Sequence, residues 1–289
     1  MSKPKILIQL DGDQQPSVFD AVVAVDAGAD FLFRHGAVQP GDVRGLVHGA
    51  IFTRGPDELR RTAIFIGGSN VAAGEELLRQ AKASFFGPFS VSILMDANGA
   101  NTTAAAAVLA ARAHVPLQGA KALVLGGTGP VGQRAVRLLA GEGAEVLVGS
   151  RSVERAAEVC RSVAANISGT KLTPVAAGSP AEAAQALAGM QIVIAAGAAG
   201  VELLTAEARS SSHELAVAID LNAVPPLGLT GVEATDRAKT RDGVICYGAL
   251  GVGGTKMKIH KAALRRLFKA NDQVFDAEEI YQLGRELFG

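Results

Sequence analysis

Short apolar runs alternate with stretches of helical period along almost the whole chain. Lys5–Leu10, Phe31–Phe33, Ala63–Ile66 and Val91–Met95 read as strands. Between them, Val18–Val25, Val43–His48 and Ala72–Ala83 carry apolar residues at helical spacing, the first entered through Pro16-Ser17. Strands that are apolar throughout, with no polar alternation, suit a parallel sheet covered on both faces. The strand–helix alternation therefore predicts an α/β protein. After the turn Asp96–Asn101, Thr102 opens an alanine-rich helix, with Asn101 in the position of an N-cap.

One segment is more specific than the rest. Ala122–Leu125 is a short apolar strand that runs into Gly126-Gly127-Thr128-Gly129-Pro130-Val131-Gly132. A helical stripe comes next (Val131, Ala135, Leu138, Leu139), then Gly143 as a stop and a second strand, Val146–Val148. Gly127, Gly129 and Gly132 thus form Gly-x-Gly-x-x-Gly between a strand and a helix, the context a dinucleotide-binding turn requires. Glycine permits the tight turn, close approach of a pyrophosphate and close helix–strand packing, and the first helical N–H groups face the phosphates. The second strand ends Gly149-Ser150-Arg151-Ser152, with Arg155 one turn on. An NAD site expects a carboxylate there for the ribose 2′-hydroxyl. Arg151 instead can fork onto phosphate oxygens and Ser150 and Ser152 can donate to them, which favours NADP. The alternative is a glycine-rich turn flanked by solvated arginines. The expected cofactor set is Gly127, Thr128, Gly129, Pro130, Val131, Ser150, Arg151, Ser152 and Arg155. Gly197, beyond the strand Ile192–Ile194, and Asn222, beyond the strand Ala216–Ile219, complete it at the carboxyl edge where open sheets collect ligands.

Length and composition narrow the classes. With 289 residues the chain is long enough for two domains, divided near Val115-Pro116: a Rossmann-type domain over 117–254, and an α/β substrate domain over 1–116 completed by C-terminal helices within 255–289. Lysine plus arginine equals aspartate plus glutamate at 28 each, so no net positive field attracts nucleic acid or an anionic membrane. No apolar run reaches the ~18 residues of a membrane helix. Cys160 and Cys246 are the only cysteines, which excludes a disulfide framework. His35, His48, His114 and His213 have no metal-ligand spacing, so no metal site is expected. With no signal peptide before the first strand, the expected compartment is the cytoplasm.

A second cluster begins at Gly248, with four glycines in the seven residues to Gly254. It reads as a flexible loop that brings backbone close to a ligand, succeeded by a helix from Thr255 to Ala270. The helix stripe Leu264, Leu267, Phe268 extends backwards to His260 and Lys256, placing two ionisable groups on the face that should be buried. Lys256 would also occupy the first turn, where the macrodipole opposes a cation. Local rules broken together point to a functional position; a snorkelling lysine beside a satisfied core histidine is the alternative.

Taken together, Pro16-Ser17-Val18-Phe19-Asp20, Asn101-Thr102-Thr103, the glycine turn, Asp220-Leu221-Asn222-Ala223-Val224-Pro225-Pro226 and Gly253-Gly254-Thr255-Lys256-Met257-Lys258-Ile259-His260 resemble the bacterial NADP-dependent methylene-tetrahydromethanopterin dehydrogenases of one-carbon metabolism. The resemblance extends over nearly the whole chain. It implies a two-domain subunit with the active site in the cleft, and a homo-oligomer, expected to be a trimer. It also implies pterin-site roles for Phe19, Thr102, Lys256 and His260. One position departs from it: Ser152 stands where the family can carry a lysine, which weakens the expected selectivity for NADP over NAD. Methylene-tetrahydrofolate dehydrogenases with cyclohydrolase activity are the nearest rivals, but their first-domain Tyr-x-x-x-Lys motif is excluded because no tyrosine precedes Tyr247. A methylene-tetrahydrofolate substrate, and an NADP-binding regulatory protein without turnover, are the other readings.

Overall fold

The computed structural model describes residues 3–289. In chain order its elements begin β1 (Ile6–Asp11), α1 (Val18–Asp26), β2 (Phe31–His35), α2 (Pro40–Ile51), β3 (Thr62–Gly67), α3 (Val71–Ala83), β4 (Ser92–Met95) and α4 (Ala100–Arg112). They continue β5 (Lys121–Leu125), α5 (Pro130–Gly141), β6 (Glu145–Ser150), α6 (Val153–Asn166), β7 (Lys171–Ala176), α7 (Pro180–Leu187), β8 (Ile192–Ala195), α8 (Ala206–Ser210), β9 (Val217–Asp220), β10 (Lys239–Arg241) and β11 (Val244–Tyr247). The last are α9 (Ala249–Arg266), β12 (Val274–Phe275) and α10 (Ala277–Phe288). No helix among the described residues is long and apolar enough to cross a membrane.

The chain forms two compact units. One runs to Thr102 and resumes at Met257–Leu287; the other is Thr103–Lys256. The first division falls inside α4, before the expected boundary at 116, and the second falls inside α9, within two residues of the expected 254. Nothing interrupts α4 there: Ala104–Val108 are fully buried in one continuous run. Each unit is built on its own sheet. The first sheet has five strands in the order β12-β4-β3-β1-β2, all parallel. The second has seven, β10-β11-β9-β8-β5-β6-β7, parallel except for the β10–β11 hairpin. The strands β3, β4, β8 and β9 are buried at every position, which is why Ala63–Ile66, Ile93–Met95, Ile192–Ala195 and Val217–Ile219 within them are apolar.

The expected loop at Gly248–Gly254 is a helix. α9 starts at Ala249, so most of the glycine run lies inside it. Helix propensity, which costs about 1 kcal/mol per interior glycine, is overridden by packing. A Cβ on Gly251 would lie 1.8 Å from the Asp236 carbonyl oxygen, and one on Gly248 would lie 2.0 Å from that of Glu233. These glycines therefore admit protein backbone where a ligand was expected. Lys256 accordingly lies two turns into α9, and the argument from an unfavourable first-turn position lapses.

The segment under the start of α9 is pinned by Asp236. Its carboxylate accepts from Arg241 Nε at 2.5 Å and Nη2 at 2.8 Å, and from the Glu233 N–H at 2.8 Å. Burial pushes this carboxyl up, but the guanidinium and the N–H outweigh it and hold the value below the ordinary aspartate range. A lowered folded-state value stabilises above the ordinary range, and the gain is lost as pH falls through the lowered value. Asp236→Asn is expected to cost about 2 kcal/mol at neutral pH. Urea denaturation should show the gap between the variant and the parent closing below about pH 4; a gap that does not change with pH would count against the pair.

Candidate functional site

The second unit has the doubly wound strand order, reversing direction between β5 and β8. The glycine turn lies at the end of β5, at that switch point. Gly126 takes the left-handed conformation, φ 70°, so the tight turn belongs to Gly126 and not to Gly127. A Cβ on Gly126 would come 2.6 Å from Gly197 Cα, and one on Gly127 would come 2.7 Å from Val148 Cγ1. Gly132 is tighter still, since its Cβ would lie 2.2 Å from the Gly126 carbonyl oxygen. α5 begins at Pro130, which lacks the N–H that would be orphaned anyway, and no side chain caps the first turn. Its amide dipoles are thus left for an anion.

A cavity of about 360 Å³ opens over this turn. Seven expected residues line it: Thr128, Gly129 and Pro130 from the turn, Ser150 from the end of β6 with Arg151 and Arg155 beyond it, and Gly197 from beyond β8. Four expected residues do not. Gly127 faces Val148. Val131 lies in the first turn of α5, outside the lining. Ser152 Oγ caps α6, accepting from the Arg155 N–H at 3.2 Å and donating to Glu154 at 2.8 Å, so it is engaged away from the role of phosphate donor. Asn222 is buried, and its amide bonds to the Pro226 carbonyl and the Val224 N–H. Beside it, burial pushes the Asp220 carboxyl up, against the N–H groups of Leu229, Asn222 and Gly228.

The structure adds lining residues that the sequence did not suggest. Ala177, Gly178 and Ser179 come from beyond β7, and Ala198, Val201, Glu202 and Leu203 from the loop after β8. β7 is obscured in the sequence because Pro174 sits within it and its residues are only half-buried, the mark of an edge strand. Once β7 is placed, Gly178-Ser179-Pro180 is legible as a turn and helix start. Glu202 carries no local signal.

In the first unit the buried centre is Asp96. Its Oδ1 accepts from the N–H groups of Asn101 and Thr102, both at 3.0 Å, and its Oδ2 from Thr102 Oγ1 at 2.6 Å. Asp96 therefore caps the start of α4, in place of Asn101. The Asn101 amide instead donates to the Met95 carbonyl at 2.7 Å and to Asp276 Oδ1 at 3.0 Å, tying α4 to the cap of α10. His260 Nδ1 lies 3.9 Å from Asp96 Oδ2, and its ring stacks on Phe65 at 5.8 Å between centroids. Thr102 and His260 are both buried, and the Thr102 hydroxyl donates to Asp96, not outwards. Phe19 stands on the exposed face of α1, 54% accessible, and Lys256 is half-buried on α9, four residues before His260.

This strand order, with a glycine turn at the switch point and an uncapped helix behind it, defines a Rossmann-type dinucleotide-binding protein. Among solved structures, quinate dehydrogenase from Corynebacterium glutamicum in complex with NAD is similar in fold, with TM-score 0.55 and 14% identity over 98% of this chain and all of the other. Shikimate dehydrogenase from Aquifex aeolicus gives TM-score 0.51 at 14% identity, over 98% and 97% of the two chains. The family model for shikimate / quinate 5-dehydrogenase matches residues 108–233, and that for the N-terminal part of methylene-tetrahydromethanopterin dehydrogenase matches residues 18–98. Two proteins of Methylorubrum extorquens are similar over nearly their whole length. Bifunctional protein MdtA is 46% identical over 99% of this chain and all of its own, and the NAD(P)-dependent methylenetetrahydromethanopterin dehydrogenase is 34% identical over 98% and 99%. The chain belongs to the methylenetetrahydromethanopterin dehydrogenase family, and so to the oxidoreductases.

Glycines with and without space give opposite expectations. Gly132→Ala drives a methyl into the Gly126 carbonyl and should cost about 2–3 kcal/mol. Gly253→Ala meets nothing within 4 Å inside α9 and should stabilise by up to about 1 kcal/mol. Thermal unfolding of the pair checks both signs; equal effects would refute the packing argument.

Proposed function

We propose that this protein oxidises methylene-tetrahydromethanopterin to the methenyl form with NADP as hydride acceptor, and that methylene-tetrahydrofolate is a second substrate. The observation that carries the cofactor choice is the end of β6. Arg151 and Arg155 line the cavity there, and neither forms an ion pair among the described residues. The nearby carboxylate, Glu154, is turned onto the Ser152 hydroxyl, and its own backbone N–H and that hydroxyl hold it below the ordinary range. Two guanidinium groups at that position suit a ribose 2′-phosphate. A cradle that a Cβ on Gly126 or Gly132 would fill suits the pyrophosphate.

Bound NADP supplies the electrophilic nicotinamide ring that takes up the hydride. The protein's residues position and bind. Arg151 and Arg155 hold the 2′-phosphate, and the first-turn amides of α5 face the pyrophosphate. The substrate carbon that gives up hydride lies between two nitrogens, whose lone pairs delocalise the resulting cation, so no general base is needed. For the pterin we assign Phe19 as a packing surface and Lys256 as an orienting cation. Asp96 fixes Thr102 through its N–H and hydroxyl, which gives Thr102 a positioning role in place of direct contact, and His260 faces the same carboxylate.

The reading is tested by following NADP reduction with methylene-tetrahydromethanopterin and methylene-tetrahydrofolate, each repeated with NAD. Turnover with the methanopterin substrate and NADP is expected. In Arg151→Ala, kcat/KM for NADP should fall on the order of tenfold or more while that for NAD is nearly unchanged. Binding of NADP without turnover on either pterin would favour a regulatory protein.

A homo-oligomer is part of the same proposal. α1 exposes Val18, Val22 and Val25, and the edge strand β2 exposes Phe31 and Phe33, each at least half accessible. A patch of this kind on adjacent elements marks an association surface. The double variant Val22→Glu, Phe31→Lys is expected to reduce the mass measured by light scattering to that of a smaller species, with circular dichroism unchanged; an unaltered mass would place the contact elsewhere. The two buried free thiols, Cys160 and Cys246, suit a reducing compartment, and the cytoplasm is the proposed location.

A further inference from the structure

The walls of the nucleotide cavity are charged asymmetrically. Arg151 and Arg155 stand beyond β6, on one side of β5. The opposite wall is the loop after β8, on the other side of β5, and its lining residues Gly197, Ala198, Val201 and Leu203 are apolar or lack a side chain. A single carboxylate interrupts that wall, Glu202. It is half-buried and is held by a hydrogen bond from the Thr230 hydroxyl. Among the described residues it has no cationic partner. Thr230 is itself fixed, because its N–H donates to the Leu204 carbonyl at 3.0 Å. The carboxylate is thus placed by the fold, with no counterion, in a mostly apolar wall.

In a doubly wound sheet a dinucleotide lies across the switch point, one half on each side of it. With the 2′-phosphate, and so the adenosine half, at the arginine end, the nicotinamide half extends towards the β8 loop. That ring carries a positive charge when oxidised and none when reduced. We propose that Glu202 is the countercharge for the oxidised nicotinamide, a specificity-determining residue that makes the site bind NADP⁺ better, relative to NADPH, than it otherwise would. The inference rests on the dinucleotide reading of the cavity and goes beyond it by assigning the opposite end. The ends of the cavity then oppose the ends of the ligand in sign: cations for the phosphate, an anion for the ring. Because protein countercharges act through a partly solvated medium, the effect is moderate.

The test is calorimetric titration of the full-length protein with NADP⁺ and with NADPH. Glu202→Gln keeps an oxygen that can accept from Thr230 and removes only the charge. It is expected to weaken NADP⁺ binding about three- to tenfold while changing NADPH binding by less than about twofold. A fivefold change in that ratio corresponds to roughly 20 mV in the two-electron potential of the bound couple. Glu202→Asp, which keeps the charge, should restore most of the ratio. Equal weakening of both nucleotides in Glu202→Gln, or no change in either, would overturn the proposal while leaving the cavity a dinucleotide site. Failure of the parent protein to bind either nucleotide would instead refute the reading on which it rests.

Discussion

The candidate site depends on three stretches of backbone meeting where no side chain fits. The turn after β5, the first turn of α5 and the loop after β8 converge at Gly126, Gly132 and Gly197, and a Cβ on Gly126 or Gly132 would lie 2.6 Å or less from a neighbour. Only this approach puts the amino end of α5 against the end of β5, with its dipole aimed at the cavity. It also bears on where Arg151 and Glu202 stand, because the strands that precede them, β6 and β8, flank β5. The charge distribution of the cavity is therefore a consequence of backbone packing before it is a matter of individual side chains.

In the first unit a buried carboxylate has the corresponding role. Asp96 follows β4, caps α4, receives the Thr102 hydroxyl and faces His260. A buried carboxylate is costly unless its oxygens are occupied. Thr102, which resemblance nominates for the pterin, donates to Asp96 through both its N–H and its hydroxyl, and Asn101 donates through its N–H. The shared Asn101–Asp276 bond extends this order to the cap of α10. Residues far apart in sequence are thus gathered around one polar centre, which fits the positioning role proposed for Thr102.

The parallel strands and the glycine turn were legible because their physics is local. A strand buried on both faces must be apolar throughout, and a backbone turn under a phosphate must lack side chains. The Arg151 end was legible for the same reason: a strand, a helix and a second strand in succession place the residue after them at the edge of the turn. The hidden features depend on tertiary contact. Gly251 lies inside α9 as a glycine because the Asp236 carbonyl approaches it, and no short window of sequence contains that contact. Asp96 caps α4 in place of the adjacent Asn101 because a 3-10 turn intervenes, with Asn98 at φ 55°. β7 was obscured by Pro174, and Glu202 gains its meaning only from the loop after β8 closing the cavity.

Phosphorus NMR of NADP⁺ bound to the protein tests the central claim most directly, because the 2′-phosphate reports its own ionisation. Free in solution its second proton leaves near pH 6. With Arg151 and Arg155 around it, the phosphate is predicted to remain dianionic well below that, and the resonance to stay flat across the range in which free NADP⁺ titrates. A bound 2′-phosphate that titrates like the free nucleotide would place it in solvent and contradict the account of the cavity.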